Sequence, residues 1–195
     1  AILTITTIKL EKRSIFMEFQ TVIEKRRSIR SYDPSKRVTK QQIEECVNSA
    51  IQAPSWKNLQ TSRYYCILEE EKAQEFAKKC LPEFNINNSN GASLVITTFV
   101  KNVVGFNKET HEPVTECGNG WGYYDLGLHN ENFILKAKDM GLDTLIMGIR
   151  DGEAIRKFLN IPDTEEVVSV IAVGYATKEA TKPKRKEVGD ICKFI

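Results

Sequence analysis

Two runs of β-prone apolar residues, at 93–100 and 167–173, constrain the fold more than any other feature of this chain. Polar and apolar residues do not alternate in either run, which is typical of strands at the centre of a sheet that is covered on both faces. Between them lies an apolar stripe with helical spacing, which ends at Gly141, a residue well placed as a C-terminal cap. The members of the stripe are Leu126, Phe133, Ile134, Ala137 and Met140. The sequence therefore predicts two buried strands with a long helix between them.

Local signals predict the remaining elements. Thr39 and Gln42 form a capping box that opens a helix ended by Pro54. Its apolar face would comprise Ile43, Val47, Ala50 and Ile51. A short first helix would place Phe19, Val22 and Ile23 on one side. The other predictions are strands at 63–68 and 143–149, a helix at 70–80 closed by Pro82 and an Asn- and Ser-rich loop, and a helix at 151–159.

The chain is predicted to form one domain, residues 17–195. Residues 1–16 lack the pattern of a signal peptide, and a coherent helical pattern begins only at Met17. We therefore expect residues 1–16 to be an added segment or an untypical extension. The connection from Asn102 to Gly120 is long and irregular, which favours a functional lid. The tail from Lys178 to Ile195 opens with basic residues and has no clear periodicity.

The composition of the chain and the motifs it lacks narrow the range of possible functions. The net charge of +2 gives no basis for binding nucleic acid or a membrane surface, and no apolar run is long enough to span a membrane. Five cysteines without a C-x-x-C pair favour reduced thiols in the cytoplasm over a disulfide framework or a zinc site. Neither a Rossmann motif nor a P-loop occurs, and two histidines offer little to a metal site. We therefore expect a bound cofactor, rather than catalytic side chains, to carry out the chemistry.

Four segments could serve such a cofactor, and each has a plainer alternative. The basic run 26–30 could surround a phosphate with charge-assisted hydrogen bonds, or it could be a solvated helix end favoured by the helix dipole. The donor-rich turn 54–60 could contact a ligand or be a polar loop. The segment 141–150 could present backbone N–H groups to a flat ring or be a core strand. Lys184 and Arg185 could add charge to a phosphate site or belong to a solvated tail.

The order and spacing of these segments resemble the nitroreductase family of flavoenzymes over nearly the whole chain, from Met17 to Phe194. The shared features are Arg-x-Ser-x-Arg, Pro-Ser-x-x-Asn-x-Gln, the long central helix, a Gly-Leu-Asp-Thr strand and a terminal basic motif. The resemblance implies an α+β fold with a mixed, mainly antiparallel sheet flanked by helices. It also implies a homodimer that has the long helix in its core and a C-terminal tail exchanged between subunits. FMN would lie at the dimer interface, with NADH or NADPH as the reductant.

The resemblance also implies a role for each matching residue. The residues that would face the FMN phosphate and ribityl chain are Arg26, Arg27, Ser28 and Arg30, and Arg185 with Lys184 would close the phosphate site. Asn58 would bond the edge of the flavin ring, while Pro54 and Ser55 of the other subunit would line it. Ile146, Met147, Gly148 and Ile149 would run along the isoalloxazine, with the amide of Gly148 or Ile149 near N5. No catalytic side chain is expected, because flavin N5 would carry the chemistry.

The expected activity is the transfer of two electrons to small acceptors, such as nitroaromatics or quinones, by a ping-pong mechanism. The chain has Thr61-Ser62 where many members have Pro-Trp, and Gly148 where some have Glu, and both differences bear on the choice of acceptor. One alternative is a family offshoot that performs dehalogenation or flavin fragmentation. Another is a non-catalytic flavin- or nucleotide-binding protein. A third is a weak nucleic-acid binder, which the near-neutral charge disfavours.

Overall fold

The computed structural model describes residues 17–195, so the expectation for residues 1–16 lies outside the described part of the chain. Its sheet has the strands β1 (Ser62–Ile67), β2 (Ser93–Val100), β3 (Asp143–Met147) and β4 (Glu165–Gly174) in the order β1-β2-β4-β3. All neighbouring strands pair antiparallel, and β2 runs beside β4 from Ser93–Val173 to Val100–Glu165 with a bulge at Thr97/Thr98. The predicted α+β fold with a mainly antiparallel sheet is confirmed. Among the described residues the only parallel pairing is an isolated bridge between Ser28 and Thr144.

Helices flank the sheet: α1 (Phe19–Lys25), α2 (Lys40–Ala50), α3 (Glu70–Cys80), α4 (Glu83–Ser89), α5 (Gly120–Asp139), α6 (Gly152–Leu159) and α7 (Val188–Ile191). The capping box at α2 is confirmed, because Thr39 and Gln42 satisfy each other's backbone N–H groups. Asp151 caps α6 by accepting from the N–H of Ala154. Gly141 follows α5 with φ of 78°, a left-handed conformation that favours glycine. No helix within residues 17–195 is long and apolar enough to cross a membrane.

Apolar clusters cover both faces of the sheet. On one face, residues of β2 and β4 such as Ile96 and Val170 pack with Phe76 of α3 and Ile155 of α6. On the other, the cluster comprises Val38, Ile43, Cys46, Ala50, Val95, Phe133, Ile134, Ala137, Leu142, Ile171 and Val173, most of them from α2, α5 and the two central strands. This double cover explains the unbroken apolar runs at 93–100 and 167–173, since both strands are buried on both sides.

Several local predictions need correction. The segment after Pro82 is not a loop but helix α4, whose last residue Ser89 donates its hydroxyl to the Asn85 carbonyl oxygen at 2.7 Å. In α1 only Val22 is buried, while Phe19 is 70% and Ile23 42% exposed. Ile51 lies just past α2 and is 49% exposed, so it is not part of the buried face.

The long connection is more ordered than its sequence suggests. Asn102 and Asn119 join its two ends, because the Asn119 side chain accepts from the Asn102 N–H and donates to the Asn102 side chain, both at 2.8 Å. A single bridge between Phe106 and Pro113 folds the middle of the segment back on itself. The connection is therefore a closed surface loop with a tied base.

Candidate functional site

The basic segment after α1 runs alongside the edge strand β3. The N–H of Ile29 donates to the Thr144 carbonyl oxygen at 3.0 Å, and Ser28 forms the parallel bridge with the same residue. Successive side chains of an extended segment point to opposite sides. Ile29 is buried in the core, whereas Ser28 and Arg30 are exposed. This alternation places Arg26, Ser28 and Arg30 on one side of the segment and Arg27 with Ile29 on the other.

Arg27 has a clear structural use. Its two terminal guanidinium nitrogens donate to the carbonyl oxygens of Glu24, in the last turn of α1, and of Arg26, the residue that caps the helix. A cation at the C-terminus of a helix satisfies orphan carbonyls and interacts favourably with the helix dipole. Arg26 and Arg30 form no salt bridge with any carboxylate of residues 17–195. The Arg30 guanidinium donates to the Ser28 carbonyl oxygen of its own segment at 3.3 Å. Their charges are available to an external anion.

The end of β3 presents an exposed apolar surface beside this basic segment. Ile146 shares the sheet face of its partner Ile171, yet it is 45% exposed whereas Ile171 is fully buried. Ile149, just beyond the strand, is 66% exposed. Met147 is different, because its side chain is buried in the core on the opposite face. Gly148 lies on the surface between them. Ile146 and Ile149 therefore expose apolar side chains at the two ends of this stretch, and the backbone between them has no side chain of its own on the outer side.

The turn before β1 has an unusual backbone. A short 3₁₀ turn spans Trp56–Asn58, and Lys57, Asn58 and Gln60 have φ of 49°, 56° and 50°. Left-handed conformations of non-glycine residues are costly and persist only where the surroundings enforce them, often at functional sites. Here the Ser55 hydroxyl accepts from the Gln60 N–H at 3.2 Å. Pro54, Lys57 and Asn58 are exposed, so the polar groups of the turn face outward.

A buried carboxylate anchors this turn to the long helix. The N–H of Trp56 donates to Oδ2 of Asp125, which is 4% exposed on α5. The Trp56 ring packs on Trp121 with a centroid distance of 5.0 Å, and Nε1 of Trp121 donates to the Thr115 hydroxyl at 2.7 Å. Sequence reasoning missed Asp125. The only signal was an acidic residue next to Leu126, which belongs to the apolar stripe of the helix. That signal does not indicate that Asp125 bonds the N–H of Trp56.

Within one chain the predicted site residues form two separate groups. Residues 26–30 and 146–149 lie at the β3 edge, and residues 54–58 precede β1 at the opposite edge. The three strand spacings across the sheet amount to about 14 Å. Pro54, Ser55 and Asn58 therefore belong together, and no single chain brings them to Ile149.

The terminal basic residues stand apart from both groups. Residues 178–195 are exposed throughout, and the Arg185 guanidinium donates to the nearby Pro183 carbonyl oxygen at 3.2 Å. A cavity of about 630 Å³ beneath the start of the tail is lined by Arg27, Lys178 and Lys182, among others, but not by Lys184 or Arg185. Within the described chain, then, neither terminal basic residue lines the cavity that contains Arg27.

Comparison with known proteins identifies the family. The model of the nitroreductase family matches residues 23–175, a span that includes the basic segment, the strained turn and all four strands. The chain belongs to the nitroreductase family. MhqN of Bacillus subtilis, whose name assigns it a proposed NAD(P)H nitroreductase activity, is 25% identical over 91% of this chain and 99% of its own length. DrgA of Synechocystis is 22% identical over 87% of this chain and 89% of its own.

Solved structures of nitroreductase-family proteins share the fold. A nitroreductase family protein of Streptococcus pneumoniae superposes with a TM-score of 0.76 at 20% identity, covering 91% of this chain and all of the other. A Staphylococcus epidermidis protein described as a proposed NAD(P)H:FMN oxidoreductase gives a TM-score of 0.78 at 19% identity, with 91% and 96% of the two chains covered. These likenesses establish the nitroreductase fold.

The buried thiols of this fold, Cys46 and Cys80, are poorly suited to nucleophilic chemistry. Burial raises the pKa of Cys46 to about 12 and that of Cys80 to about 11, so neither thiol ionises appreciably near neutral pH. Among residues 17–195 there is no cluster of His, Cys, Asp and Glu side chains that could hold a metal ion. The polar groups exposed at the two edges are guanidinium, ammonium, hydroxyl, amide and backbone groups. Such donors can bind and orient a ligand, but they offer little acid–base chemistry.

Proposed function

We propose that this protein is a cytoplasmic FMN-dependent oxidoreductase that transfers two electrons from NADH or NADPH to small acceptors such as nitroaromatics or quinones. Family membership and the names of the relatives, which refer to NAD(P)H nitroreductases and an NAD(P)H:FMN oxidoreductase, support the proposal. The observation that carries it is the β3 edge. There, the guanidinium groups of Arg26 and Arg30, which form no salt bridge within residues 17–195, stand beside the exposed apolar end of a strand. A cofactor that links a phosphate to a flat ring would fit here, with the phosphate at the guanidinium groups and the ring on the apolar end of the strand.

The proposed contacts follow from that edge. Arg26, Ser28 and Arg30 would bind the phosphate and ribityl chain through charge-assisted hydrogen bonds. Residues 146–149 would lie along the ring, with Ile146 packing on it and a backbone N–H of Gly148 or Ile149 directed at N5. We assign Arg27 to the cap of α1 rather than to the phosphate, because its guanidinium already donates to two helix carbonyls.

We propose that the second group of residues reaches the cofactor from another subunit. Pro54, Ser55 and Asn58 share one turn at the far edge of the sheet, so all three would come from the partner. The tail supports the same arrangement, since Ile191 is 73% and Phe194 91% exposed. A tail exchanged across the dimer would cover those side chains and bring Arg185, with Lys184, to the phosphate.

The long helix would contribute to the dimer through its outer face. Leu126, Phe133 and Ile134 are buried within their own chain, so they cannot also contact a partner. The less buried side of α5 carries Tyr124, Leu128, Glu131 and Leu135 at helical spacing. We propose this second stripe as the helical part of the interface.

When bound, FMN would supply a ring that takes a hydride from the nicotinamide and passes two electrons to the acceptor. The protein's part would be to neutralise the phosphate with Arg26 and Arg30, to hold the ring against Ile146, and to fix donors at its edges. Nicotinamide and acceptor would use the same open face in turn, which predicts ping-pong kinetics. No side chain of residues 26–30, 54–58 or 146–149 needs to act as an acid or base in this scheme.

The cofactor content of the purified protein tests the proposal. We expect a yellow protein that releases FMN on heating, identified by chromatography against FMN and FAD standards. The apoprotein should take up FMN again in a stoichiometry of about one per chain. Release of FAD, or failure to bind any flavin after reconstitution, would overturn the proposed function.

A further inference from the structure

The turn after β3 is held by side chains from outside it. Nδ2 of Asn85 donates to the carbonyl oxygen of Ile149 at 2.9 Å. The Arg150 guanidinium donates from one terminal nitrogen to the Gly148 carbonyl oxygen at 3.4 Å and from the other to the Val167 carbonyl oxygen of β4. Just after the turn, the Asp151 N–H donates to the Cys80 carbonyl oxygen at 2.9 Å. Two consecutive peptide units are thus fixed through their carbonyl oxygens.

Fixing a carbonyl also fixes the N–H of the same peptide unit. All peptide bonds of residues 17–195 are trans, so the carbonyl of one residue and the N–H of the next point in opposite directions. The contact at the Gly148 carbonyl therefore orients the Ile149 N–H, and the contact at the Ile149 carbonyl orients the Arg150 N–H. Within the described chain neither N–H has a protein acceptor. Both are turned away from the groups that hold their carbonyls.

Asn85 and Arg150 are suited to this task by their own surroundings. Asn85 is only 5% exposed, and the Ser89 hydroxyl donates to its backbone carbonyl, so its side chain starts from a fixed position on α4. Arg150 forms no salt bridge with a carboxylate of residues 17–195, and its Nε is buried without an acceptor. A buried guanidinium is costly to leave incompletely satisfied, and here its two terminal nitrogens serve backbone carbonyls.

We propose that Asn85 and Arg150 are positioning residues: Arg150, by holding the Gly148 carbonyl, orients the Ile149 N–H, and Asn85, by holding the Ile149 carbonyl, orients the Arg150 N–H, so that both amides face the cofactor. This inference rests on the proposed function. Neither side chain touches the ring, and both act through the backbone of the turn. Asn85 belongs to α4, an element that the sequence did not predict, and Arg150 stands one residue beyond the stretch assigned to the ring.

The test follows the Ile149 and Arg150 amides by ¹H–¹⁵N NMR of the full-length protein, before and after addition of FMN. In the wild-type protein FMN should shift both resonances strongly. In Asn85→Ala the Arg150 shift should fall clearly, and FMN binding should weaken by roughly 2- to 12-fold, as expected for the loss of one neutral hydrogen bond. Asn87→Ala, the same change at an exposed position of the same helix, should match the wild type in both measurements.

Arg150→Lys is the second variant, and it keeps the positive charge. A lysine lacks the planar fork that reaches two carbonyls at once, so the Ile149 shift should fall although the charge remains. If Asn85→Ala keeps the wild-type Arg150 shift, or Arg150→Lys keeps the wild-type Ile149 shift, that residue does not position its amide and the inference is overturned for it. A wild-type protein that binds FMN without a shift at either amide would overturn this inference alone. A wild-type protein that binds no FMN would overturn the proposed function as well.

Discussion

Alanine substitutions of Arg30 and Arg27, made one at a time, test whether the two sides of the basic segment have different roles. The two arginines lie three residues apart in the same motif, but they have different neighbours. Arg30 is exposed and donates only a long 3.3 Å hydrogen bond to the Ser28 carbonyl oxygen within the described chain, whereas Arg27 donates to two carbonyl oxygens at the C-terminal end of α1. We therefore expect Arg30→Ala to weaken FMN binding and Arg27→Ala to weaken α1.

The magnitudes follow from the kind of bond each side chain makes. A hydrogen bond between a guanidinium and a phosphate is charge-assisted and contributes roughly 1.5–3 kcal/mol, so Arg30→Ala should raise the Kd for FMN by about 10- to 150-fold. Arg27→Ala removes donors from a helix end and should lower the free energy of unfolding by about 1 kcal/mol. Its Kd for FMN should stay within roughly 2-fold of the wild-type value, as for surface substitutions away from a site.

Flavin fluorescence titration gives the affinities, and urea denaturation of the apoprotein gives the stabilities. Lys36→Ala serves as the charge control, because Lys36 is exposed and pairs with Asp33 at 3.5 Å outside the motif. It should leave both quantities near the wild-type values. The assignment of sides is refuted if Arg27→Ala weakens FMN binding as much as Arg30→Ala does. It is also refuted if Arg30→Ala behaves like Lys36→Ala.

Three further predictions concern the fold and the assembly. A Cβ at Gly122 would lie 2.3 Å from the Phe99 ring, so Gly122→Ala should destabilise the protein by about 1–3 kcal/mol in urea denaturation, while Gly152→Ala, with nothing within 4 Å, should be close to neutral. Asp125→Ala leaves the Trp56 N–H without its acceptor and should cost about 1–3 kcal/mol, whereas Asp125→Asn keeps an acceptor oxygen and should lose less; equal losses would exclude the hydrogen bond as the cause. Sedimentation at micromolar concentration should give twice the chain mass of 22.2 kDa, and a monomer that retains flavin would contradict the shared site.

Short-range signals predicted much of the fold correctly. The helix at 70–80 and the strand at 93–100 have the predicted bounds, because propensity and burial agree there. Helix α4 escaped prediction because asparagine and serine favour turns, and packing and the Ser89 hydrogen bond support the helix. The stripe of α5 was found, but the sequence could not tell that its residues pack inside their own chain.

The sequence predicted the separate segments of the site but not how the fold arranges them. The motifs at 26–30, 54–58 and 146–149 stand out locally, but the pairing of Ser28 with Thr144 joins residues far apart in the chain. The separation of the turn at β1 from the β3 edge depends on strand order, which periodicity does not encode. The hydrogen bond from Trp56 to Asp125 spans 69 positions and had no local signal.

Anaerobic reduction of the purified, FMN-loaded protein tests the central claim most directly. NADH or NADPH, added in steps without oxygen, should bleach the visible flavin absorbance with about one reductant consumed per bound FMN. A nitroaromatic or quinone added afterwards should restore the oxidised spectrum. A flavin that stays oxidised with both nicotinamides, although dithionite reduces it, would contradict the proposed oxidoreductase activity.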